Sequence, residues 1–247
     1  ADESGLGRRL ILEGGKVVRS EDAAAPRGTV IEVRDLFFNT PARLKYLKTI
    51  QTELGHVSDF LYRLALGRPD IAFTLTHNGK LLLRTQGTGD LLQVIAAVYG
   101  TTAAKRMIRV EGRDLDYRLE GYAARPELTR ANRGGITLIV NGRYIRNFQL
   151  ANAVLQAYHT LLPINRYPLA VIRVEMEPEL VDVNVHPAKL EVRFSKEPEL
   201  MRFVTESIRA ALEQETLIPS AGASVAPKPK PANVREQLRL FDDDFGG

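Results

Sequence analysis

The chain has 247 residues, a hydrophobic content of 44%, a charged content of 26% and a formal net charge of +4. This composition is typical of a globular protein large enough for more than one domain. The absence of cysteine excludes disulfides, thiol catalysis and cysteine-based metal sites. No apolar run reaches the ~18 residues that span a bilayer, and the N-terminus lacks the basic-then-apolar pattern of a signal peptide. We therefore expect a cytoplasmic protein.

The first third of the chain predicts a mixed α and β unit. Residues 8–18 and 29–33 have the composition of strands, with a turn-prone Gly-Gly pair in the first and the turn-prone sequence SEDAAAPRG between them. Asn78-Gly79 lies between two apolar runs and predicts a hairpin.

A helix is predicted to begin at Thr40, a capping residue, with Pro41 at its first position. Apolar residues then recur at helical spacing, at Leu47, Ile50, Leu54, Val57, Leu61 and Leu64. The β-leaning sequence TIQT and Gly55 favour one helix and two helices equally.

The sequence QGTGD at 86–90 predicts a boundary, after which a second series of elements begins. A short helix is expected at 91–99, strands at 117–122, 135–140, 169–176 and in two halves of 181–194, and longer helices at 148–161 and 198–212. Together they indicate an α/β sandwich of about 130 residues. From Ile218 onward the sequence SAGASVAPKPKPAN has too few apolar groups to fold and predicts a flexible linker.

The stretch VDVNVHPAKLEVRF, from Val181 to Phe194, changes its pattern in the middle. Apolar residues occupy odd positions up to Val185 and even positions from Leu190 onward. A strand cannot move its apolar side chains to the other face without an interruption, because its side-chain period is two. The pattern therefore predicts two strands joined by a loop that carries Lys189.

Four blocks of sequence, in order, resemble one family. The blocks are GTVIEVRDLFFNTPAR, VNGRYIRN, YHTLLPINRYP and VDVNVHPAKLEVRF. They are similar to the signatures of the MutL family of DNA mismatch repair proteins, which belongs to the GHKL group of ATPases. The resemblance covers roughly residues 5–217 and identifies the chain as a fragment of a longer family member.

The resemblance implies a fold of the α+β or α/β sandwich class with two domains and a tail. Residues 1–88 would be the later part of a GHKL ATPase domain. Residues 89–217 would be a transducer domain with the ribosomal S5 domain 2-like fold, which contains a left-handed βαβ crossover. Residues 218–247 would be a flexible, disordered linker with the peptide QLRLF.

The resemblance also assigns ATP binding to three residues. Gly28 and Thr29 match the family's fourth ATPase motif, and Lys189 matches a lysine that reaches the γ-phosphate from the transducer loop. A lysine suits that role because it is a compact charge on a long stem. Without the resemblance, the residues favour interpretations that involve no ligand. Gly28-Thr29 would then be a turn before a strand, and Lys189 would be a solvated loop residue.

The family's water-activating glutamate and magnesium-binding asparagine belong to motifs that precede the matched blocks, and the sequence lacks them. Hydrolysis needs a positioned base and a metal ion. We therefore expect no catalytic residue, no metal site and no ATP turnover in this chain alone. ATP and Mg²⁺ would be cofactors of the intact protein, and this chain would hold neither fully by itself.

Arginines are concentrated between residues 123 and 149, where five of them stand against one acid, Glu127. Guanidinium groups bind DNA phosphates without reading the base sequence. The alternative is a solvated face with scattered ion pairs. Because the resembled family binds DNA nonspecifically, we expect DNA contact from Arg143 and Arg146, and with less support from Arg125, Arg130 and Arg133.

The tail contains a short motif that resembles the bacterial sliding-clamp-binding sequence QLxLF. Its anchor residues would be Gln237, Leu238, Leu240 and Phe241. The alternatives are a chance match and a segment that packs on the folded part of the chain.

The implied function is that of an ATP-gated mismatch repair matchmaker that binds ATP and DNA. Its expected partners are DNA, a MutS-type mismatch recognition protein, a sliding clamp, a downstream nuclease or helicase, and a second copy of the intact protein, with no membrane. One alternative is a noncatalytic nucleic-acid-binding α/β module with a clamp-binding tail. Another is the transducer segment of a type II topoisomerase, against which the blocks VNGRYIRN and FFNTPAR argue.

Overall fold

A computed structural model describes residues 5–183 and 191–217 of the chain. Helices and strands alternate along it, which confirms the predicted mixed α and β class. Packing divides the chain into two units, Ala1–Leu54 and Gly55–Gly247. None of the helices in the described ranges is both long and apolar enough to cross a membrane.

The first unit contains the strands β1 (Leu6–Glu13) and β2 (Lys16–Ala24) and the short helix α1 (Pro41–Leu44). The strands form an antiparallel hairpin that turns at Gly14 and Gly15, both with positive φ. Residues 20–24, predicted as part of a turn, instead extend β2 because they pair with β1.

The strand predicted at 29–33 is wrong, since those residues form no strand. Val30 is 92% exposed and Ile31 is also exposed. Apolar and β-branched composition alone does not make a strand, because a strand needs a neighbour to receive its backbone hydrogen bonds. The described residues place no such neighbour beside this segment.

The helix predicted from Pro41 is interrupted after α1, and a second helix, α2, spans Ile50–Gly67. The hydroxyl oxygen of Thr49 accepts a hydrogen bond from the backbone N–H of Thr52 at 3.3 Å. The Glu53 carboxylate accepts one from the backbone N–H of Lys48 at 2.8 Å. The Thr49 side chain satisfies an N–H group in the first turn that the helix leaves unpaired, and the Glu53 side chain holds the backbone just before the helix. The two-helix alternative is therefore correct, with the break at 45–49 rather than at Gly55.

The second unit continues with the hairpin of β3 (Thr74–His77) and β4 (Lys80–Arg84). Its turn residues Asn78 and Gly79 both have positive φ, which confirms the predicted Asn-Gly hairpin. The remaining elements, in chain order, are α3 (Leu91–Tyr99), α4 (Thr101–Ala104), β5 (Met107–Arg113), β6 (Tyr117–Ala124), β7 (Thr129–Arg130), β8 (Ile136–Val140), β9 (Arg143–Ile145), α5 (Phe148–Tyr158), β10 (Tyr167–Pro168), β11 (Ala170–Met176), β12 (Val181–Asp182), β13 (Arg193–Phe194) and α6 (Glu197–Leu217).

Several boundaries differ from the prediction. The strand β5 was not predicted, and α5 ends at Tyr158 because His159 takes a positive φ and begins a 3-10 turn. Helix α6 runs from Glu197 to Leu217, longer than the predicted 198–212. Helix ends depend on capping contacts that the apolar pattern does not reveal.

A five-stranded sheet in the order β5-β6-β11-β8-β9 organises the second unit. Strands β8 and β11 are parallel, and the other neighbours are antiparallel. The connection from β8 to β11 includes α5, as a parallel crossover requires. The left hand expected for this crossover stays a prediction.

Each face of this sheet has its own core. Leu138 and Val140 pack into a cluster with α5 and α6, whereas Ile139 and Val171 pack with α2, α3 and β4. The alternation follows from the two-residue period of a strand. Leu66 belongs to the second cluster, so residues before the predicted boundary near 88 share a core with residues after it. The boundary at 88/89 was implied by the family resemblance rather than by packing within this chain, and it stays a prediction.

Two strands lie between Val181 and Phe194, as predicted, but each has only two residues, which is shorter than the predicted halves of this stretch. β12 and β13 pair antiparallel, with Val181 opposite Phe194 and Asp182 opposite Arg193. The strand before residues 184–190 and the strand that follows them are therefore paired neighbours. Residues 184–190, which include Lys189, lie outside the described residues.

Candidate nucleic-acid and nucleotide contacts

The β8–β9 hairpin carries the two arginines for which the DNA prediction was strongest. Its turn residues Asn141 and Gly142 both have positive φ, the backbone that a tight hairpin turn requires. Arg143 begins β9 and Arg146 follows its end, and both side chains are exposed. Among the described residues, neither guanidinium group has an ion-pair or hydrogen-bond partner. The hairpin therefore presents two positive charges at the edge of the sheet.

The β8–β9 hairpin is held at several points. Ile145 is buried against the sheet and helix core. The Arg63 guanidinium carbon lies 4.5 Å from the centroid of the Tyr144 ring, and Arg63 also pairs with Asp59 at 2.9 Å. The side-chain amide of Asn141 is bonded to the backbone of β11. The burial of Ile145 and the Arg63–Tyr144 contact are enough to keep the hairpin's arginines in place before any ligand arrives.

Arg133 is engaged by its own neighbours. Its guanidinium carbon lies 4.7 Å from the centroid of the Phe148 ring and 5.6 Å from that of Tyr167. Its Nη1 donates a hydrogen bond to the Asn152 side-chain oxygen at 3.1 Å. The positive charge remains exposed at the surface, although the side chain is already ordered.

The other two predicted arginines have different surroundings. Arg125 forms an ion pair with Glu215 near the end of α6, and this pairing offsets its charge locally. Arg130 lies in β7, opposite Tyr167 of β10, and is half-buried. A further cation that the sequence did not single out, Arg166, donates to the hydroxyl of Thr129 at 2.8 Å. Of the five predicted arginines, Arg125 and Arg133 have side-chain partners, and Arg130 is half-buried. Arg143 and Arg146 are both exposed and have no ion-pair or hydrogen-bond partner among the described residues.

Gly28 and Thr29 lie in the first unit, and both are exposed. Gly28 has φ +130, and no atom stands within 4 Å of where a Cβ would be. A glycine without a side chain lets a ligand approach the chain closely, and a neighbouring exposed hydroxyl can donate or accept a hydrogen bond. Lys189 and the clamp-motif residues Gln237, Leu238, Leu240 and Phe241 lie outside the described residues.

A metal site is a separate question. Within residues 5–183 and 191–217, no three His, Asp or Glu side chains are grouped so that they could hold a metal ion. The Mg²⁺ expected with ATP in the intact protein stays a prediction.

Two tyrosines contribute to the interior of the second unit, Tyr158 buried and Tyr99 half-buried. Burial raises the pKa of Tyr99, whose hydroxyl lies 3.2 Å from that of Thr137 on β8. Burial also raises the pKa of Tyr158, which donates a hydrogen bond to the Ala124 carbonyl at 2.5 Å. Both phenols stay neutral near pH 7, so they contribute packing and hydrogen bonds rather than charge.

Asn141, Arg63 and Tyr144 were missed by the sequence reasoning. Asn141 and Tyr144 belong to the block VNGRYIRN, in which only the two arginines were predicted as contact residues. The Asn-Gly pair indicates a turn, but its contact with Met176 joins residues far apart in the chain. No local pattern reveals such a contact.

Comparisons with known proteins agree with this architecture. The family model described as "DNA mismatch repair protein, C-terminal domain" matches residues 95–213. The curated DNA mismatch repair protein MutL of Geobacillus kaustophilus (strain HTA426) is 53% identical over 253 aligned residues, which cover 99% of this chain and 40% of the relative. The chain belongs to the MutL family of DNA mismatch repair proteins. A second MutL relative, from Bacillus cereus (strain AH820), is 51% identical over 95% of this chain and 36% of its own length.

Solved structures show the MutL-family fold as well. One, described as the N-terminal domain of a DNA repair protein, has a TM-score of 0.72 and 21% identity, over 87% of this chain and 70% of that chain. The ATPase domain of Aquifex aeolicus MutL has a TM-score of 0.62 and 24% identity, over 83% of this chain and 72% of that chain. A structure of that domain complexed with ADP has a TM-score of 0.59. The chain spans 36 to 40% of the length of the curated MutL relatives named above.

Proposed function

We propose that this chain supplies the DNA-contacting and nucleotide-sensing parts of an ATP-gated MutL matchmaker. The observation that carries the DNA part is the pair of exposed arginines, Arg143 and Arg146, on an anchored hairpin. In this proposal ATP and DNA act on the same protein, which then recruits its repair partners.

The DNA contact is electrostatic. Arg143 and Arg146 have no carboxylate partner among the described residues, so a DNA phosphate does not have to displace one. Arg133 precedes β8 and packs against Phe148, the first residue of α5, so its guanidinium group adds a third positive charge in a fixed position. Such contacts bind duplexes of any sequence and weaken steeply with salt, because each phosphate that is neutralised releases counterions. Arg125 and Arg130 contribute less in this proposal, because Arg125 is paired with Glu215 and Arg130 is half-buried.

The test is the salt dependence of binding to a nonspecific DNA duplex, measured by fluorescence anisotropy. The double variant Arg143→Ala/Arg146→Ala should bind more weakly, with a slope of log affinity against log salt that is shallower by about 1.8. The matched control is Arg68→Ala/Arg109→Ala, which removes the same charge from two arginines paired with Asp70 and Glu111. Equal slopes in wild type and test variant, or equal losses in test and control, would refute the contact.

The nucleotide part of the proposal assigns ATP contacts to Gly28, Thr29 and Lys189. The exposure of Gly28 and of the Thr29 hydroxyl supports it, together with membership of the MutL family. The antiparallel pairing of β12 with β13 is consistent with it, because these two strands flank residues 184–190, which include Lys189 and lie outside the described residues. Mg²⁺ would come with ATP and would need ligands beyond the described residues.

This part is tested in a longer family protein that contains the chain, by measuring ATP binding and ATP-dependent dimerisation. Lys189→Ala should weaken both while leaving thermal unfolding unchanged, because a loop lysine contributes little to packing. Lys105→Ala removes an exposed lysine elsewhere in the second unit and serves as the control. Wild-type ATP binding and dimerisation by Lys189→Ala would exclude the role.

A second proposed activity is binding to a sliding clamp through Gln237, Leu238, Leu240 and Phe241. The supporting observation is the peptide QLRLF after a Pro- and Lys-rich stretch. In a pull-down with the clamp, the Phe241→Ala variant should no longer be captured. The matched control, Phe245→Ala, changes a phenylalanine four residues further on and should be captured like wild type. Undiminished capture of Phe241→Ala would exclude the motif as the anchor, and so would equal losses in both variants.

The remaining partners follow from family membership as proposals. A MutS-type mismatch recognition protein would act before this protein, and a nuclease or helicase would act after it. The alternative, a noncatalytic nucleic-acid-binding module, predicts salt-dependent DNA binding that nucleotide does not change in the longer protein. Nucleotide-dependent DNA affinity in that protein would decide for the matchmaker.

A further inference from the structure

We propose that Asn141 is a positioning residue that joins the arginine hairpin to the end of β11. Through it, a DNA contact at Arg143 changes the backbone of residues 176–183 and 191–195. This inference rests on the proposed DNA contact and adds a route by which that contact is felt elsewhere in the second unit.

The Asn141 side chain extends the sheet by one step. The regular pairing of β8 with β11 ends at Val140 and Val174. Beyond it, the Asn141 backbone N–H donates to the Val174 carbonyl at 3.0 Å. The side-chain Nδ2 then donates to the Met176 carbonyl at 3.0 Å, and the Met176 N–H donates to Asn141 Oδ1 at 2.9 Å. The Asn141 side-chain amide thus pairs with both the N–H and the carbonyl of Met176, as a residue of a neighbouring antiparallel strand would do.

Few residue types can do this at position 141. The backbone has φ +47, which Asn and Gly adopt more readily than other residues. The side chain must present a donor and an acceptor together, at the reach of a single methylene. Aspartate offers only acceptors, and glycine offers neither. The Asn-Gly pair therefore serves the turn and also ties it to another strand.

The end of β11 is connected in turn to β12 and β13. After Met176, the Glu177 carbonyl accepts a hydrogen bond from Leu180, and the Leu180 carbonyl accepts one from Ser195 at 3.0 Å. The Ser195 hydroxyl also donates to the Glu179 carbonyl at 3.2 Å. A displacement of Met176 therefore reaches the β12–β13 pair through consecutive hydrogen bonds rather than through loose packing.

The hairpin does not depend on Asn141 alone for its position. Ile145 is buried in the core, and the Tyr144 ring lies under the Arg63 guanidinium group. Loss of the Asn141 amide should therefore leave Arg143 able to meet phosphate. It should remove the connection between the hairpin and Met176. This separation makes the inference testable apart from DNA binding itself.

The experiment is hydrogen exchange measured by mass spectrometry, with and without a nonspecific DNA duplex, at matched saturation. In wild type, DNA should change amide exchange in residues 176–183 and 191–195. Asn141→Gly keeps a backbone suited to positive φ and removes both side-chain hydrogen bonds. It should keep DNA affinity within about threefold, because the arginines remain, and lose the DNA-dependent change in both segments.

Two further variants isolate the cause. Asn141→Asp keeps an acceptor for the Met176 N–H, leaves the Met176 carbonyl without its donor, and should also lose the change. Asn78→Gly alters the matching Asn-Gly turn of β3–β4, where the Asn78 side chain meets only the adjacent His77, and should behave as wild type. A wild-type response in both Asn141 variants, or the same loss in Asn78→Gly, overturns the inference. Absence of DNA binding by the wild type instead overturns the proposed DNA contact, and the inference falls with it.

Discussion

The Arg133 guanidinium carbon lies 4.7 Å from the centroid of the Phe148 ring, although Phe148 is 65% exposed. The two residues stand on either side of the β8–β9 hairpin in the chain. Their contact joins the 3-10 turn before β8 to the first residue of α5. An arginine that the sequence offers as a free phosphate ligand is thus also part of the local structure.

The Arg133–Phe148 contact should appear as a coupling energy in a double-mutant cycle. Arg133→Ala, Phe148→Ala and the double variant, compared by urea unfolding, should give a coupling of about 0.5–1 kcal/mol, as exposed cation–π pairs do. The control cycle combines Arg133→Ala with Phe60→Ala, an exposed phenylalanine on α2. That control should be additive within about 0.5 kcal/mol. A coupling near zero at Phe148 would mean that the stack does not stabilise the fold.

The core shared by α2 and the sheet predicts a large effect at Leu66. Leu66 is 0% exposed and packs in the cluster that contains Ile139 and Val171, whereas Leu64 on the same helix is 41% exposed. Leu66→Ala should lower the free energy of unfolding by about 2–5 kcal/mol because it leaves a cavity. Leu64→Ala is the matched control and should cost less than about 1 kcal/mol. Equal costs would show that α2 does not pack on the sheet as described.

Gly121 is required by the close approach of β6 to β11. A Cβ at Gly121 would lie 2.2 Å from the Val171 carbonyl oxygen and 3.1 Å from the Ile172 Cα, both backbone atoms. Gly121→Ala should therefore destabilise the protein by about 1–3 kcal/mol or more in chemical unfolding. Gly55→Ala, in helix α2 with no atom within 4 Å of the new methyl group, should instead stabilise it by about 1 kcal/mol. Opposite signs are the expected result, and a neutral Gly121→Ala would contradict the packing.

Tyr158 should make stability depend on alkaline pH. Burial raises the pKa of its phenol above the ordinary value of about 10, so the folded protein keeps the proton when the unfolded chain loses it. Stability from this group is complete below pH 10 and falls by about 1.4 kcal/mol per pH unit above it. Tyr158→Phe should cost about 1 kcal/mol at pH 7, since the Ala124 carbonyl loses its donor.

The measurement for Tyr158 is urea unfolding at pH 7 and pH 11. The deficit of Tyr158→Phe relative to wild type should shrink toward zero at pH 11, because phenylalanine cannot ionise in the unfolded chain. The matched control, Tyr46→Phe, removes an exposed hydroxyl. A deficit that is the same at both pH values would mean that the Tyr158 phenol ionises alike in the folded and unfolded states.

Local chemistry explains which elements the sequence predicted well. A tight hairpin turn requires positive φ at its two central residues, and Asn and Gly adopt positive φ more readily than other residues. Asn78 and Gly79 both have it in the structure. The parity change after Val185 forbids a single strand whatever surrounds it, and the β12–β13 pair agrees. The strand at 29–33 failed because its composition describes a preference, whereas a strand exists only with a partner.

The candidate site divides in the same way. Clustered arginines and the four family blocks are properties of the sequence, and the comparisons bear out the MutL family. Which arginines are already engaged is a property of the tertiary structure. Arg125 meets Glu215 across 90 residues of chain, and no spacing rule connects them. Arg143 and Arg146 combine exposure with the lack of an ion-pair or hydrogen-bond partner among the described residues, and only the packing of the chain determines that combination.

The sequence by itself determined the family, the mixed α and β class, the Asn78-Gly79 turn and the presence of two strands between Val181 and Phe194. These features depend on backbone preferences and side-chain periods, which act over a few residues. The tertiary structure alone decided that Asn141 bonds to Met176, that Leu66 shares a core with the sheet, and that Arg143 remains unpaired among the described residues. Such contacts join distant parts of the chain, and their partners are set by how the elements pack rather than by what lies beside them in sequence.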